Sequence, residues 1–172
     1  MYFQVSDLKE LTSEKKIFFT AICVERVVQV FEFNYDNTIL EPRNIVEDMI
    51  NSIVIDKINI SEINKHKKTM KNLIPDVDEM GSEFTPSMEA GVAILYLLNA
   101  IISKEEEDII NALVYSLEAV DSFSEYNQLG LEEEKEWHKR LLDIVKNSKT
   151  YPIERVREMN EEYPQWSEMW RD

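Results

Sequence analysis

The stretch PSMEAGVAILYLLNAII, residues 86–102, decides the fold. Met88, Val92, Ala93, Ile94, Leu95, Leu97, Leu98, Ile101 and Ile102 fall on nearly every side of a helix, the pattern of an element with neighbours all round. Thr85 reads as its N-cap and Pro86 as its first helical residue, where a missing amide hydrogen costs nothing. The apolar run Gly91–Ile102 is interrupted by Asn99 and falls short of the roughly 20 residues that span a bilayer, so it reads as a core helix.

Working outward, the same periodicity gives six more helices. Ser13 before Glu14 starts a long one reaching Tyr35, preceded by a capping pair at Asp7 and Glu10, and its apolar arc through Phe18, Phe19, Ala21, Ile22, Val27, Val28 and Val30 is wide enough for burial. Pro42 opens a second helix through Ile53, and Ser61 with Asn64 a third through Leu73. Residues 76–84, DVDEMGSEF, have no helical period and read as the longest loop. After the central helix, Ser103 with Glu106 forms a capping box for a fifth helix with Ile109, Leu113, Leu117, Val120 and Phe123 on one stripe. Gly130 marks a turn, a sixth helix covers Leu131 to Asn147, and Pro152 starts a short seventh. The expectation is an all-α, single-domain bundle of about seven helices over residues 1–172, centred on residues 86–102, with an aromatic tail at 163–172.

Composition agrees. A chain of 172 residues should bury roughly 70% of its extended surface, and 44% apolar residues are enough to fill such a core. Eight Gly and Pro residues are too few turn-formers for a many-stranded fold. The start, MYFQVSDLKE, lacks the basic and apolar regions of a signal peptide, and a single cysteine excludes an internal disulfide framework, so a reducing cytoplasmic setting is expected. A formal charge of −15 disfavours nucleic-acid binding.

Chemistry is sparse. Glu62 with His66 and Glu134 with His138 each place a carboxylate and an imidazole at i, i+4, but neither matches a di-iron pattern, and both read as solvated helix faces. One cysteine and two histidines make no zinc site, and Cys23 in an apolar stretch reads as a small core residue. No phosphate loop, nucleophile elbow or metalloprotease motif occurs, so no enzyme activity, cofactor or metal is expected. Glu25 and Arg26 sit among apolar residues of an enclosed helix, where at least one needs a buried partner, and they read as a structural ion pair. The positive cluster Lys65, His66, Lys67, Lys68 and Lys71 lacks the aromatics that would stack RNA bases.

Charge is distributed unevenly. Residues 76–148 carry 17 acidic and 5 basic side chains, and residues 61–75 carry 1 and 4. An acidic half of this kind is either a solvated face or a surface that steers a basic partner. Its best-placed acids are Asp76, Asp78, Glu79 and Glu83 in the loop, with Glu105, Glu106 and Glu107 at the start of the fifth helix.

The fragments FFTAICVERV, IPDVDEM, TPSMEAGVAILYLLNAI, EEEKEW and PIERVREMNEE, in that order, resemble the YjaG-like family, a bacterial domain of unknown function. The resemblance runs from about Leu8 to Glu162 and rests on Ala21, Glu25, Arg26, Ile74, Pro75, Asp78, Ala90, Ala93, Glu136 and Trp137. It implies an all-helical, single-domain, cytoplasmic protein and no activity. The family's cysteines do not align with Cys23, and the ending with Tyr163, Trp166 and Trp170 departs from the family's small polar one. That tail either packs on the bundle or anchors a partner.

Small acidic helical proteins of this kind look like the immunity proteins that block basic nuclease toxins. The first functional expectation is therefore an immunity-type inhibitor binding a basic toxin domain through the acids named above. The alternative is a cytoplasmic YjaG-like housekeeping protein with no toxin partner, and a homodimer is compatible with it. A third reading, an enzyme using Glu25, Arg26 and a loop acid, lacks a nucleophile or metal set.

Overall fold

The computed structural model describes residues 5–35, 38–127 and 131–162, and the described residues contain no strand. Two one-turn helices, α1 (Val5–Leu8) and α5 (Val77–Met80), accompany seven longer ones. These are α2 (Ser13–Phe33), α3 (Glu41–Val54), α4 (Ile60–Leu73), α6 (Thr85–Ser103), α7 (Glu106–Asn127), α8 (Leu131–Asn147) and α9 (Ile153–Glu162). The all-α bundle is the one the periodicity predicts, with one continuous apolar core.

The ends differ in detail. Thr12, not Ser13, caps α2 by accepting the Lys15 amide at 3.3 Å, and Asn59 caps α4 by accepting the Ser61 and Glu62 amides. The stretch 76–84 is not irregular. Asp76 caps α5 by accepting the Asp78 amide at 3.0 Å, Gly81 breaks the chain at φ 111°, where any L side chain is strained, and Ser82–Phe84 wind as a 3-10 turn. That turn leads directly into α6, so Thr85 lies inside the helix and Phe84 holds the cap position without a side-chain bond. At the other end Ser103 accepts the Glu105 amide and donates to Asp108 at 2.7 Å, replacing the expected exchange with Glu106, while Lys104 turns the chain at φ 59°.

Counted with its leading turn, the helix runs Ser82–Ser103, long and apolar enough to cross a membrane by length and composition alone, which Gly91–Ile102 by itself is not. Its buried side, including Ala90, Ala93, Ile94, Leu97, Leu98 and Ile101, packs against α2, α4 and α7 as a core helix does. Enclosure is not complete. Val92, Leu95, Tyr96, Asn99 and Ile102 stay half-buried along one side, where Tyr96 stacks on Tyr115 of α7 at 5.6 Å between ring centres.

The most enclosed element is α2. From Ile17 to Glu32 every residue is buried except half-buried Glu25 and Gln29. It packs against α3, α6, α7 and α8, and at Gly91 of α6 a Cβ atom would lie 2.6 Å from Cγ1 of Ile74, just after α4, and 3.0 Å from the Phe31 ring of α2. Glycine is required there by the crossing, not by backbone conformation.

Two outcomes test this packing by chemical denaturation. Leu98→Ala should cost about 2–5 kcal/mol and half-buried Leu95→Ala less; a cost at Leu98 below about 0.5 kcal/mol would place it outside the core. Gly91→Ala should destabilise by about 1–3 kcal/mol through overpacking, although alanine is the better helix former by about 1 kcal/mol. A stabilised Gly91→Ala would show slack at the crossing.

Candidate functional site

Enclosing α2 puts Glu25, Arg26 and Glu32 where water cannot fully solvate them, so each charge needs a partner. The partners come from three different helices. Arg26 Nε donates to Glu134 Oε2 of α8 at 2.7 Å, with the guanidinium carbon 4.7 Å from the Trp137 ring centre. The other Glu134 oxygen lies 3.5 Å from His138 Nε2. Glu32 accepts a fork from Arg43 of α3, 3.0 Å from Nε and 2.6 Å from Nη2. Glu25 accepts a fork from both Nη atoms of Arg157 of α9, one arm 2.6 Å long. Glu25 and Arg26 are therefore both ion-paired, but not with each other, because consecutive residues on a helix do not face each other.

In each pair the carboxylate is the more buried group. Side-chain exposure is 8% for Arg26 against 0% for Glu134, 41% for Arg43 against 2% for Glu32, and 47% for Arg157 against 16% for Glu25. Arg26, Arg43 and Arg157 line one polar cleft of about 310 Å³ between α2, α3 and α9, together with Glu25, Gln29, Asn160 and exposed Glu47. The Trp137 indole donates to Asn160 Oδ1 at 3.0 Å, which fixes that amide with its NH₂ turned away from the indole. A wider depression of about 550 Å³ lies beside the start of α2, but its Lys15 ammonium is committed to the Ser148 carbonyl at 2.6 Å.

Burial would push the Glu134 carboxyl upward. The nearby His138 imidazole and the Arg26 charge outweigh that and hold it below the usual carboxylate range, so Glu134 is ionised at neutral pH. Burial pushes the Cys23 thiol well above its usual range, and the Glu134 charge adds to this, so Cys23 is a protonated core residue. Glu32 and Glu25 raise Arg43 and Arg157 respectively through their hydrogen bonds.

The sequence expectation of two solvated Glu/His faces is therefore corrected at one of them. Glu134 and His138 are both buried, facing α2, whereas Glu62 is exposed and His66 half-buried. Glu134 was hidden within the acidic run of residues 132–136; its i+3, i+4 and i+7 relation to Trp137, His138 and Leu141 was the signal that it points inward. Among the described residues no group of three or more His, Cys, Asp or Glu could hold a metal.

Asp76, Asp78, Glu79, Glu83, Glu105, Glu106 and Glu107 are all exposed. They form two groups, the first four at the N-terminal end of α6 and the last three just beyond its C-terminal end, about 27 Å apart by the rise of 19 helical residues. Glu106 is paired with Lys16 at 2.7 Å, and Asp76 is committed to its cap. None of these acids lines the cleft, so the loop acid of the enzyme reading is not brought to Glu25 and Arg26. Lys65, Lys68 and Lys71 are exposed on α4. The aromatic tail 163–172, Gly130 and the Asp7 side chain lie outside the described residues.

Arg26→Ala should destabilise the fold by about 3–5 kcal/mol by leaving the Glu134 charge buried without its cation. A depressed folded-state pKa stabilises above the unfolded value and loses that contribution as pH falls through the folded one. The stability gap between the parent and Glu134→Gln should therefore be widest near neutral pH and narrow on acidification below the ordinary carboxylate range. Urea titrations across pH read both; an Arg26→Ala variant that melts like the parent, or a gap that widens in acid, contradicts this account.

No curated protein and no solved structure matches the chain. The family model described as Protein of unknown function (DUF416) matches residues 4–166, which takes in every described element from α2 to α9 and all three ion pairs. By that match the chain belongs to the DUF416 family.

Proposed function

We propose that this chain is an immunity-type binding protein of the cytoplasm, which captures a basic toxin domain and blocks the surface with which that domain holds its anionic substrate. A nuclease is the toxin chemistry that fits best, since its substrate cleft must be cationic. One observation carries this reading: Asp78, Glu79, Glu83, Glu105 and Glu107 are exposed and make no ion pair among the described residues, while Lys16, Arg26, Arg43, Lys135, Lys139, Lys146 and Arg157 are each paired within the fold. These exposed acids carry part of the chain's formal charge of −15. Such a surface attracts a cationic partner over a distance of about a Debye length and speeds its association.

The test is association kinetics with the basic domain that co-purifies with the protein or is encoded beside it. The on-rate should fall on the order of tenfold or more between low and high salt, and a variant combining Asp78→Lys, Glu79→Lys and Glu83→Lys should slow association further while its helix content is unchanged. An on-rate indifferent to salt and to these reversals would overturn the proposal.

A further inference from the structure

Three of the six arginines of a strongly acidic chain meet in the cleft between α2, α3 and α9. Each is held by a carboxylate that is less exposed than itself, and Glu25 and Glu47 share the lining, so the cleft presents guanidinium donors beside carboxylates. The forks are incompletely used. Glu32 engages Nε and Nη2 of Arg43 and leaves Nη1 outside the pair, while Glu25 engages the two Nη atoms of Arg157 and leaves Nε outside it. The Asn160 amide, oriented by Trp137, adds NH₂ donors from α9.

Donors of this kind, locked before a ligand arrives, lose little side-chain entropy on binding. Donors from Arg43, Arg157 and Asn160 outnumber the two oxygens of a planar carboxylate and suit a tetrahedral oxoanion. A volume of about 310 Å³ is at the small end of ligand pockets and exceeds what a bare oxoanion needs. Glu47 at the rim acts electrostatically on both Arg43 and Arg157, and it would repel an oxoanion that brought no hydrogen-bond donor of its own.

We propose that this cleft binds a small phosphate monoester that also carries an ammonium or hydroxyl group, with the phosphate on Arg43, Arg157 and Asn160 and the donor group on Glu47. The site is independent of the acidic surfaces at the ends of α6, so the fate of the partner-binding reading does not decide it.

Calorimetric titration of the full chain with inorganic phosphate, phosphoethanolamine and acetate tests this. Phosphoethanolamine should bind saturably with a Kd below about 1 mM and more tightly than inorganic phosphate, and acetate should not bind. Arg43→Lys and Arg157→Lys keep the charge and lose the fork, and each should weaken phosphoethanolamine on the order of tenfold with helix content retained. Glu47→Gln should abolish the advantage of phosphoethanolamine over inorganic phosphate without weakening phosphate itself. If an arginine variant loses its fold, Glu47→Gln alone decides, since Glu47 is exposed and outside the three pairs. The absence of saturable binding, or equal affinity in the parent, Arg43→Lys and Arg157→Lys, overturns the proposal. So does a preference for phosphoethanolamine that survives in Glu47→Gln.

Discussion

A helix enclosed from Ile17 to Glu32 that contains Glu25, Arg26 and Glu32 can exist only if three complementary charges are delivered to it. That requirement shapes the rest of the bundle. Glu134 on α8, Arg43 on α3 and Arg157 on α9 answer one charge each, so the buried axis specifies electrostatically which three helices lie beside it and at what height. Apolar burial supplies the driving force and is non-directional. The ion pairs add direction, because a helix rotated by one residue would leave a charge in the core without its partner.

The architecture was legible in the letters because helix period, proline at helix starts and short polar connections all point the same way. The seven longer helices begin close to where Ser13, Pro42, Ser61, Pro86, Ser103, Leu131 and Pro152 place them. Residues 86–102 were legible as the central apolar helix, which packs against α2, α3, α4 and α7. The burial of α2 was less legible, because two of its three charges are answered by residues far along the chain. Pairs separated by 108 and 132 positions leave no local signature. Glu134 illustrates the difficulty: amid neighbouring glutamates it reads as solvated, and only its register with Trp137 and Leu141 distinguishes it. The acids at the two ends of α6 were legible as exposed charge, but their separation by the length of that helix depends on tertiary structure.

The same ion pairs organise the surface. Each pair is neutral, and the excess of 34 acidic over 19 basic side chains gives the molecule its negative field. Where the Arg43 and Arg157 pairs open toward solvent beside buried Arg26, arginines from three helices line a cleft together with Glu25 and Glu47. Structural charge on the axis thus gives the molecule an arginine-lined recess within an acidic exterior.

Native-state hydrogen exchange of the amides tests directly whether α2 is the element on which the others depend. The account predicts that amides from Phe18 to Phe31 exchange only through global unfolding and are among the slowest in the chain, with those of α3 and α9 opening at lower free energy. If the α2 amides instead exchange through local opening while α6 and α7 remain protected, the charged helix does not hold its neighbours in place and the central claim is wrong.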